Sequence, residues 1–227
     1  MKRILIPLGI VIAVLLGTSY WMQSAENPDP NHTHADFAVW INGTKLDFSD
    51  ERYMSAPPAE TVSFIPKASA HGTENDGHVV PGREYLHLHD GNGSVVHRHK
   101  PGLTFGNFFD SIGLYMTDKC LMVDDFQYKK LDQQWLKDFN FTRNICDNGK
   151  FHWTMMVNGE VVPMNPKYEF QDLDKILLSY SASDTTAQEQ YEELSDDACK
   201  YSKTCPWRGA PPTENCIADP TVPCVVQ

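Results

Sequence analysis

Residues 151–164 read FHWTMMVNGEVVPM, and this stretch decides the fold. Apolar runs flank the dipeptide Asn158-Gly159, which is a strong signal for a tight β-hairpin turn. Residues 174–181, DKILLSYS, follow as a short continuous apolar run, which is typical of a buried strand. The sequence therefore predicts that the main domain closes with a hairpin and a buried strand.

The segments before this hairpin predict further strands and a packed helix. Residues 35–48, ADFAVWINGTKLDF, indicate two strands joined by a turn at Asn42-Gly43. Thr104 is expected to N-cap a short helix whose apolar residues fall on one face and belong to the core: Phe105, Phe108, Phe109 and Ile112. Further expectations are a strand over 61–65, a strand over 115–125, a helical turn over 131–139 and an acidic helix with a capping box of Thr186 and Glu189.

From Tyr85 to Ser181 the predicted order is hairpin, helix, strand, hairpin, strand. With the motifs Trp153 to Gly159 and Asp174 to Tyr180, this order resembles the β-grasp domain shared by the C-terminal part of cobalamin carriers and many exported prokaryotic proteins. The string HTHADFAVWINGTKLDFS, followed by HLH, HRHKPGLTFGNFFDSIG and VNG, also resembles a group of membrane-anchored, His-rich exported proteins of archaea and bacteria over residues 32–181. The resemblance implies an α+β fold, a β-grasp-like mixed sheet with one short packing helix, and carries no established function.

The N-terminus has the features of an export element. Lys2 and Arg3 precede an apolar run from Ile4 to Met22, whose 19 residues are close to the ~20 that a helix needs to cross a bilayer. We expect a transmembrane signal anchor at 1–23, a linker at 24–31 and an extracytoplasmic domain at 32–181. A cleaved signal peptide, ending near Gly17-Thr18-Ser19, is the alternative.

Charge narrows the classes of partner. The chain of 227 residues is 41% hydrophobic and carries a formal net charge of −11. A nucleic-acid partner would require a stripe of Lys and Arg, and the sequence has none. The expected partners are therefore a metal ion, the membrane through the N-terminal helix, and an envelope protein.

Six cysteines in an exported chain predict disulfides. Cys120 and Cys146 are expected to pair within the main domain. The other four lie in a tail at 182–227 whose pairing the sequence leaves open: Cys199, Cys205, Cys216 and Cys224. Since no Cys-x-x-Cys occurs, a thioredoxin-like centre lacks its defining spacing.

Residues 87–99, HLHDGNGSVVHRH, hold two His-x-His pairs around a turn. A two-residue loop would place the two pairs on opposite faces of a hairpin. A three-residue loop, with Gly93 in the left-handed conformation, would set His87 opposite His97 and all four imidazoles on one face. The second register is preferred because it separates Leu86, Leu88 and Val96 from the histidines.

These pairs, with a third at His32 and His34, predict a metal site. The expected ligands are His87, His89, His97 and His99, with His32 and His34 as additional ones, and imidazole suits copper and zinc. Asp36 and Asp90 are candidate carboxylates to orient the imidazoles. We expect a membrane-anchored extracytoplasmic protein for metal capture or delivery. The alternatives are an envelope interaction module without metal, a histidine-rich sheet face without a ligand, and an enzyme, either metal-dependent or a thiol–disulfide isomerase.

Overall fold

The computed structural model describes residues 32–55, 80–88 and 90–209. The expected signal anchor, linker and strand over 61–65 lie outside these residues, as do His89, Cys216 and Cys224. Within the described ranges, no helix is long and apolar enough to cross a membrane.

Within the described part of the chain, ten strands form two sheets. In chain order they are β1 (Thr33–Ile41), β2 (Thr44–Lys45), β3 (Leu86–His87), β4 (Val95–Arg98), β5 (Tyr115–Met116), β6 (Cys120–Met122), β7 (Asn144–Cys146), β8 (His152–Val157), β9 (Glu160–Val162) and β10 (Lys175–Ser181). The main sheet has the order β3-β4-β1-β10-β8-β9, with β2 paired to β1, and the small sheet has the order β5-β6-β7. The main sheet is mixed, because β1 and β10 are parallel and the other pairs are antiparallel.

The centre of the main sheet agrees with the apolar run that predicted it. Leu177 and Leu178 point to opposite faces of β10, and both are fully buried. The hairpin turns are also confirmed, since Asn42-Gly43 and Asn158-Gly159 both have positive φ at each central residue, as a type I′ turn requires.

Five short α-helices lie within the described residues, and three of them fall on the helical segments expected after Thr104, over 131–139 and around Glu189. They are α1 (Phe105–Ser111), α2 (Asp125–Lys130), α3 (Gln133–Asp138), α4 (Asp184–Tyr191) and α5 (Ala198–Tyr201). Thr104 caps α1 as predicted, and the apolar face of this helix is buried. The predicted cap at Thr186 is wrong, because α4 already begins at Asp184 and Ser183 caps it.

The single strand expected over 115–125 is wrong as well. The chain turns back between β5 and β6, which pair with each other. Thr117 stabilises this turn, since its Oγ1 accepts a hydrogen bond from the Cys120 amide at 2.9 Å. A disulfide joins β6 to β7 through Cys120 and Cys146, which confirms that expected pair.

Both faces of the main sheet are covered. The odd-numbered residues of β1, such as Phe37 and Val39, enter the large core that also contains α1. On the opposite face, α4 packs through Ala187 against Leu177, and α5 packs through Ala198 against Val95. The C-terminal segment thus forms a third layer on the side of the sheet that carries the histidines.

Candidate functional site

Three neighbouring strands place their histidines on one face of the main sheet. Strand β4 lies between β3 and β1, and His97 is the register partner of both His87 and His34. The predicted register of the histidine hairpin is therefore confirmed for β3 and β4. The neighbouring pair of His34 and His97 brings the third His-x-His sequence to the same place.

The turn of the hairpin differs in detail from the prediction. Asp90 and Gly91 have positive φ, whereas Gly93 does not. Gly93 is needed for a different reason: a Cβ atom there would lie 2.4 Å from the carbonyl carbon of Phe48 and from the amide nitrogen of Ser49. This close backbone approach seats the hairpin against the segment that follows β2.

Five described histidines form a histidine cluster, which consists of His32, His34, His87, His97 and His99. Neighbouring ring centroids lie 4.4 Å apart for His32 and His99, 4.7 Å for His34 and His97, and 4.8 Å for His87 and His99. His97 is fully buried, and His34 and His87 are nearly so. This histidine-bearing face of the sheet is therefore an interior layer.

A hydrogen-bonded chain orients His34. The Asp172 carboxylate accepts from the His34 amide at 2.9 Å and from the Ser202 hydroxyl at 2.6 Å. Because Ser202 gives its only hydroxyl hydrogen to Asp172, its Oγ accepts from His34 Nδ1, 2.8 Å away. In the neutral ring of His34, Nε2 is then the nitrogen without a proton.

His87 has the same tautomer for a different reason. Its Nδ1 lies 2.6 Å from the carbonyl oxygen of Arg83, which can only accept a hydrogen bond. The Arg83 guanidinium is itself held by the carbonyls of Arg52, Met54 and Ser111 at 2.7–2.8 Å. In the neutral ring of His87, Nε2 is then the nitrogen without a proton.

Asp172 is the carboxylate that helps to orient an imidazole of the cluster, a role for which the sequence suggested Asp36 and Asp90. Burial alone would raise the pKa of the Asp172 carboxyl, but hydrogen bonds from His34 and Ser202 hold this pKa below its usual range. Asp90 lies in the hairpin turn. The assignment of Asp36 to an imidazole is wrong, because its carboxylate accepts from the Ser195 hydroxyl and from two backbone amides, Asp197 at 2.9 Å and Ala198 at 3.1 Å.

A C-terminal cap, defined here as residues 195–205, lies over the histidine cluster. The ring of Tyr201 is 4.6 Å from the ring of His97 and 5.8 Å from that of His34. Cys199 and Cys205 form a disulfide within the cap, which is one of the pairings that the sequence left open. Burial raises the pKa of Asp36 at the cap, and its hydrogen bonds with Ser195, Asp197 and Ala198 offset part of this rise.

The imidazole rings of the cluster have the spacing of metal ligands, but their orientations do not form a metal site. Two imidazoles that ligate one tetrahedral Zn²⁺ have centroids about 5 Å apart, given a Zn–N bond of about 2.0 Å. The centroid distances in the cluster, from 4.4 to 6.5 Å, span this value. However, the rings of His87, His97 and His99 are nearly parallel, and among the described residues no group of three or more His, Cys, Asp or Glu side chains has a metal-holding arrangement.

Two further features, an exposed ion pair and a cleft, lie outside the histidine cluster. His152 has 44% of its side chain accessible, and its Nε2 lies 2.9 Å from Asp184 Oδ1. A separate cleft of about 610 Å³ beside β8 and β9 has an apolar wall that includes Met155, Met164 and Val162, with Asp118 and Glu160 among its polar residues. Neither feature contacts the histidine cluster.

Comparisons of the chain with protein-family models, with curated proteins and with solved structures find no match.

Proposed function

We propose that this protein binds one copper or zinc ion through the histidine cluster and serves in metal capture or delivery. The observation that carries the proposal is that His34 and His87 share one face of the sheet and each engages Nδ1 in a hydrogen bond, which in a neutral ring makes Nε2 the nitrogen able to bind a metal. Protein metal sites commonly fix their histidine ligands in this way, through a carboxylate or carbonyl at the other ring nitrogen.

Burial and charge support the same function. A cluster of buried imidazolium groups would be costly in low dielectric and would repel one another, so the neutral rings that metals require are favoured. His34, His87, His97 and His99 are the proposed ligands among the described residues, with His32 at the margin. His89 stays a proposed ligand from its place in the sequence. The metal would supply a positive charge shared by nitrogen donors from three strands.

The rings must turn about χ2 to converge on one ion. His97 occupies the middle position, because it is the register partner of both His34 and His87. Turning its ring changes no strand pairing. The adjustment needed for binding is therefore confined to side chains and to the cap that covers them.

We propose in addition that the fold is β-grasp-like and that the protein is anchored in the membrane with this domain on the extracytoplasmic side. The order β2-β1-β10-β8-β9, with a parallel central pair and α1 across one face, supports a β-grasp-like assignment. The two disulfides support an oxidising compartment, and the N-terminal sequence supports a membrane anchor with the domain on the extracytoplasmic side.

Metal titration of the full chain tests the proposal. With disulfides intact, we expect one Zn²⁺ or Cu²⁺ per chain by isothermal titration calorimetry, and a melting temperature that rises with metal concentration. The variant His87→Ala/His97→Ala should lose both effects. His152→Ala, which removes an exposed histidine, is the matched control and should retain them. Equal binding by the two variants, or no binding by the native chain, would refute a site in the cluster.

A second candidate function is a protein-docking module of the cell envelope. The apolar cleft beside β9 and the exposed side chain of Val161, of which 63% is accessible, favour this alternative. Pull-down from an envelope extract separates the two functions. Binding of a partner that survives His87→Ala/His97→Ala and is lost in Val162→Asp would assign function to the cleft.

A further inference from the structure

We propose that the Cys199–Cys205 disulfide is a redox-sensitive clasp that controls access to the histidine cluster. This inference deepens the proposed function. It rests on that function only in taking a metal ion as the ligand that reaches the histidine cluster. Contacts in the structure show independently of any metal that the cap covers the histidine cluster. They also show the surroundings of the disulfide.

The cap closes the cluster from the side opposite the large core. Tyr201 lies against His34 and His97, and its hydroxyl accepts a hydrogen bond from the Asn92 side chain in the hairpin turn at 3.1 Å. Ser202 contacts His34 Nδ1 directly. A ligand that approaches His97 from this face must therefore displace the cap.

The cap is held mainly by polar contacts. Its apolar cluster with the sheet consists of Val95, Ala198 and Tyr201, whereas Asp36 and Asp172 anchor the cap through hydrogen bonds. The disulfide fixes the ends of its central loop, which also has a backbone hydrogen bond from the Thr204 amide to the Cys199 carbonyl at 2.9 Å. With so little apolar surface, the cap depends on the bridge to stay ordered.

The bridge has an accessible side and a cationic neighbour. Cys199 is partly exposed, while only 3% of Cys205 is accessible. The Arg208 guanidinium lies 3.6 Å from Cys199 Sγ and favours the thiolate form of this cysteine once the bridge is reduced. Asp196 and Asp197 also pair with Arg208, which moderates but does not remove this effect.

Reduction requires an external dithiol, such as the reduced form of a dithiol protein. Its thiolate attacks Cys199 Sγ, the S–S bond breaks, and Cys205 leaves as a thiolate that takes up a proton. The second thiol of the reductant then attacks its own sulfur in the mixed disulfide and releases Cys199. The reductant is oxidised to a disulfide, and the clasp gains two electrons and two protons.

Opening of the clasp is expected to expose the histidines. Releasing a loop with a sequence separation of 6 increases the open population on the order of 30-fold in the chain-entropy account. Metal exchange at the cluster should accelerate by a similar factor. The oxidised protein would hold its metal, and the reduced protein would load or release it.

Histidine labelling of the full chain tests the clasp without relying on metal. Diethyl pyrocarbonate labelling, followed by peptide mass spectrometry, is compared between the native chain and Cys199→Ser/Cys205→Ser. We expect His34 and His97 to be labelled on the order of 30-fold faster in the variant. His152, which is exposed in both, is the internal reference. Cys120→Ser/Cys146→Ser, which opens the other bridge, should leave the labelling of His97 unchanged.

The reduction potential of the bridge and the binding of Zn²⁺ provide two further tests. Arg208→Gln retains the disulfide and should make the bridge harder to reduce, measured as a more negative reduction potential against a glutathione series. Equal labelling of His97 in the native chain and in Cys199→Ser/Cys205→Ser overturns the clasp, whatever the metal result. Faster labelling without binding of Zn²⁺ by either protein retains the clasp and rejects the proposed metal function.

Discussion

At the scale of single residues, the protein uses histidine in two different ways. His152 is exposed and pairs with Asp184 in the first turn of α4. Hydrogen bonds from His152 and then from Thr154 hold the pKa of the Asp184 carboxyl below its usual range. Four of the five histidines of the cluster are instead buried, and Ser202 and the Arg83 carbonyl orient two of these four.

The Asp184 pair gives a pH-dependent contribution to stability. Because its pKa is lowered on folding, the carboxylate stabilises the folded state at neutral pH, and this contribution is lost as the pH falls below about 4. Asp184→Asn should therefore lower the free energy of unfolding at pH 7 by less than about 1 kcal/mol, since the pair is exposed. Urea unfolding at pH 7 and pH 3 checks this. Asp118→Asn, at an exposed turn, is the control, and an effect of Asp184→Asn that is equal at both pH values would contradict the prediction.

Part of the cluster could be predicted from sequence, and its supporting residues could not. The alternation of Leu86 and Leu88 with His87 was enough to choose the register. Asp172 was missed because it lies 138 residues from His34, in a turn whose local sequence gives no indication of this contact. Asp36 was assigned to the wrong partner because proximity in sequence does not reveal the hydrogen bonds that it makes with the cap.

At the scale of elements, the small sheet depends on its covalent bridge. Strands β5, β6 and β7 have only two or three residues each, so few backbone hydrogen bonds hold them. The disulfide joins Cys120 to Cys146, which are directly opposite each other in the ladder. It therefore closes a long loop that contains both α2 and α3.

Removing this bridge is expected to have a large effect on stability. The sequence separation of 26 predicts a loss of roughly 3.5 kcal/mol in the free energy of unfolding for Cys120→Ala/Cys146→Ala. The shorter loop of Cys199→Ala/Cys205→Ala predicts a smaller loss, roughly 2 kcal/mol. Guanidinium unfolding of both variants gives the comparison. A larger loss for the second variant would show that loop length does not govern these bridges.

Local sequence predicted elements well where turn or cap chemistry was decisive. The two Asn-Gly turns and the Thr104 cap had specific residues at specific places. The strand expected over 115–125 was wrong because the apolar residues on both sides of the turn concealed it, although Thr117 and Asp118 are turn formers. The cap of α4 was misplaced because Ser183 and Thr186 are both acceptable N-cap residues and only tertiary contacts choose between them.

At the scale of the whole molecule, stability is expected to fall from the centre of the main sheet towards the cap. Strand β10 is bonded on both edges, to β1 and to β8, and both of its faces are covered. The cap has one small apolar cluster and a few polar anchors. These two regions should therefore open at different free energies.

Native-state hydrogen exchange measures this difference directly. The amides of Leu177 and Leu178 should exchange only through global unfolding, because they lie in the most buried strand. The amides of Ser202 and Thr204 should exchange faster, through local opening of the cap, and faster still after reduction. Equal protection of Thr204 and Leu178 would mean that the cap is an integral part of the core.

The packing of the C-terminal segment as a third layer on the main sheet could not be predicted from the sequence. The tail at 182–227 was expected to be a separate disulfide-bonded unit, yet α4 and α5 cover one face of the main sheet. The hydrophobic pattern of these helices is weak, since each buries only one or two apolar side chains. Their position depends on Asp36, Val95 and Ser202, whose contacts no local pattern encodes.

The parallel pairing of β1 with β10 also governs the order in which the chain can fold. Asp36 is the register partner of Lys175, so the first described strand completes its ladder only after almost the entire domain has been synthesised. Until then β1 lacks its β10 neighbour, and its unpaired backbone N–H and C=O groups on that edge can pair with a wrong strand. The main sheet of an emerging chain can therefore be completed only once residue 181 has been made.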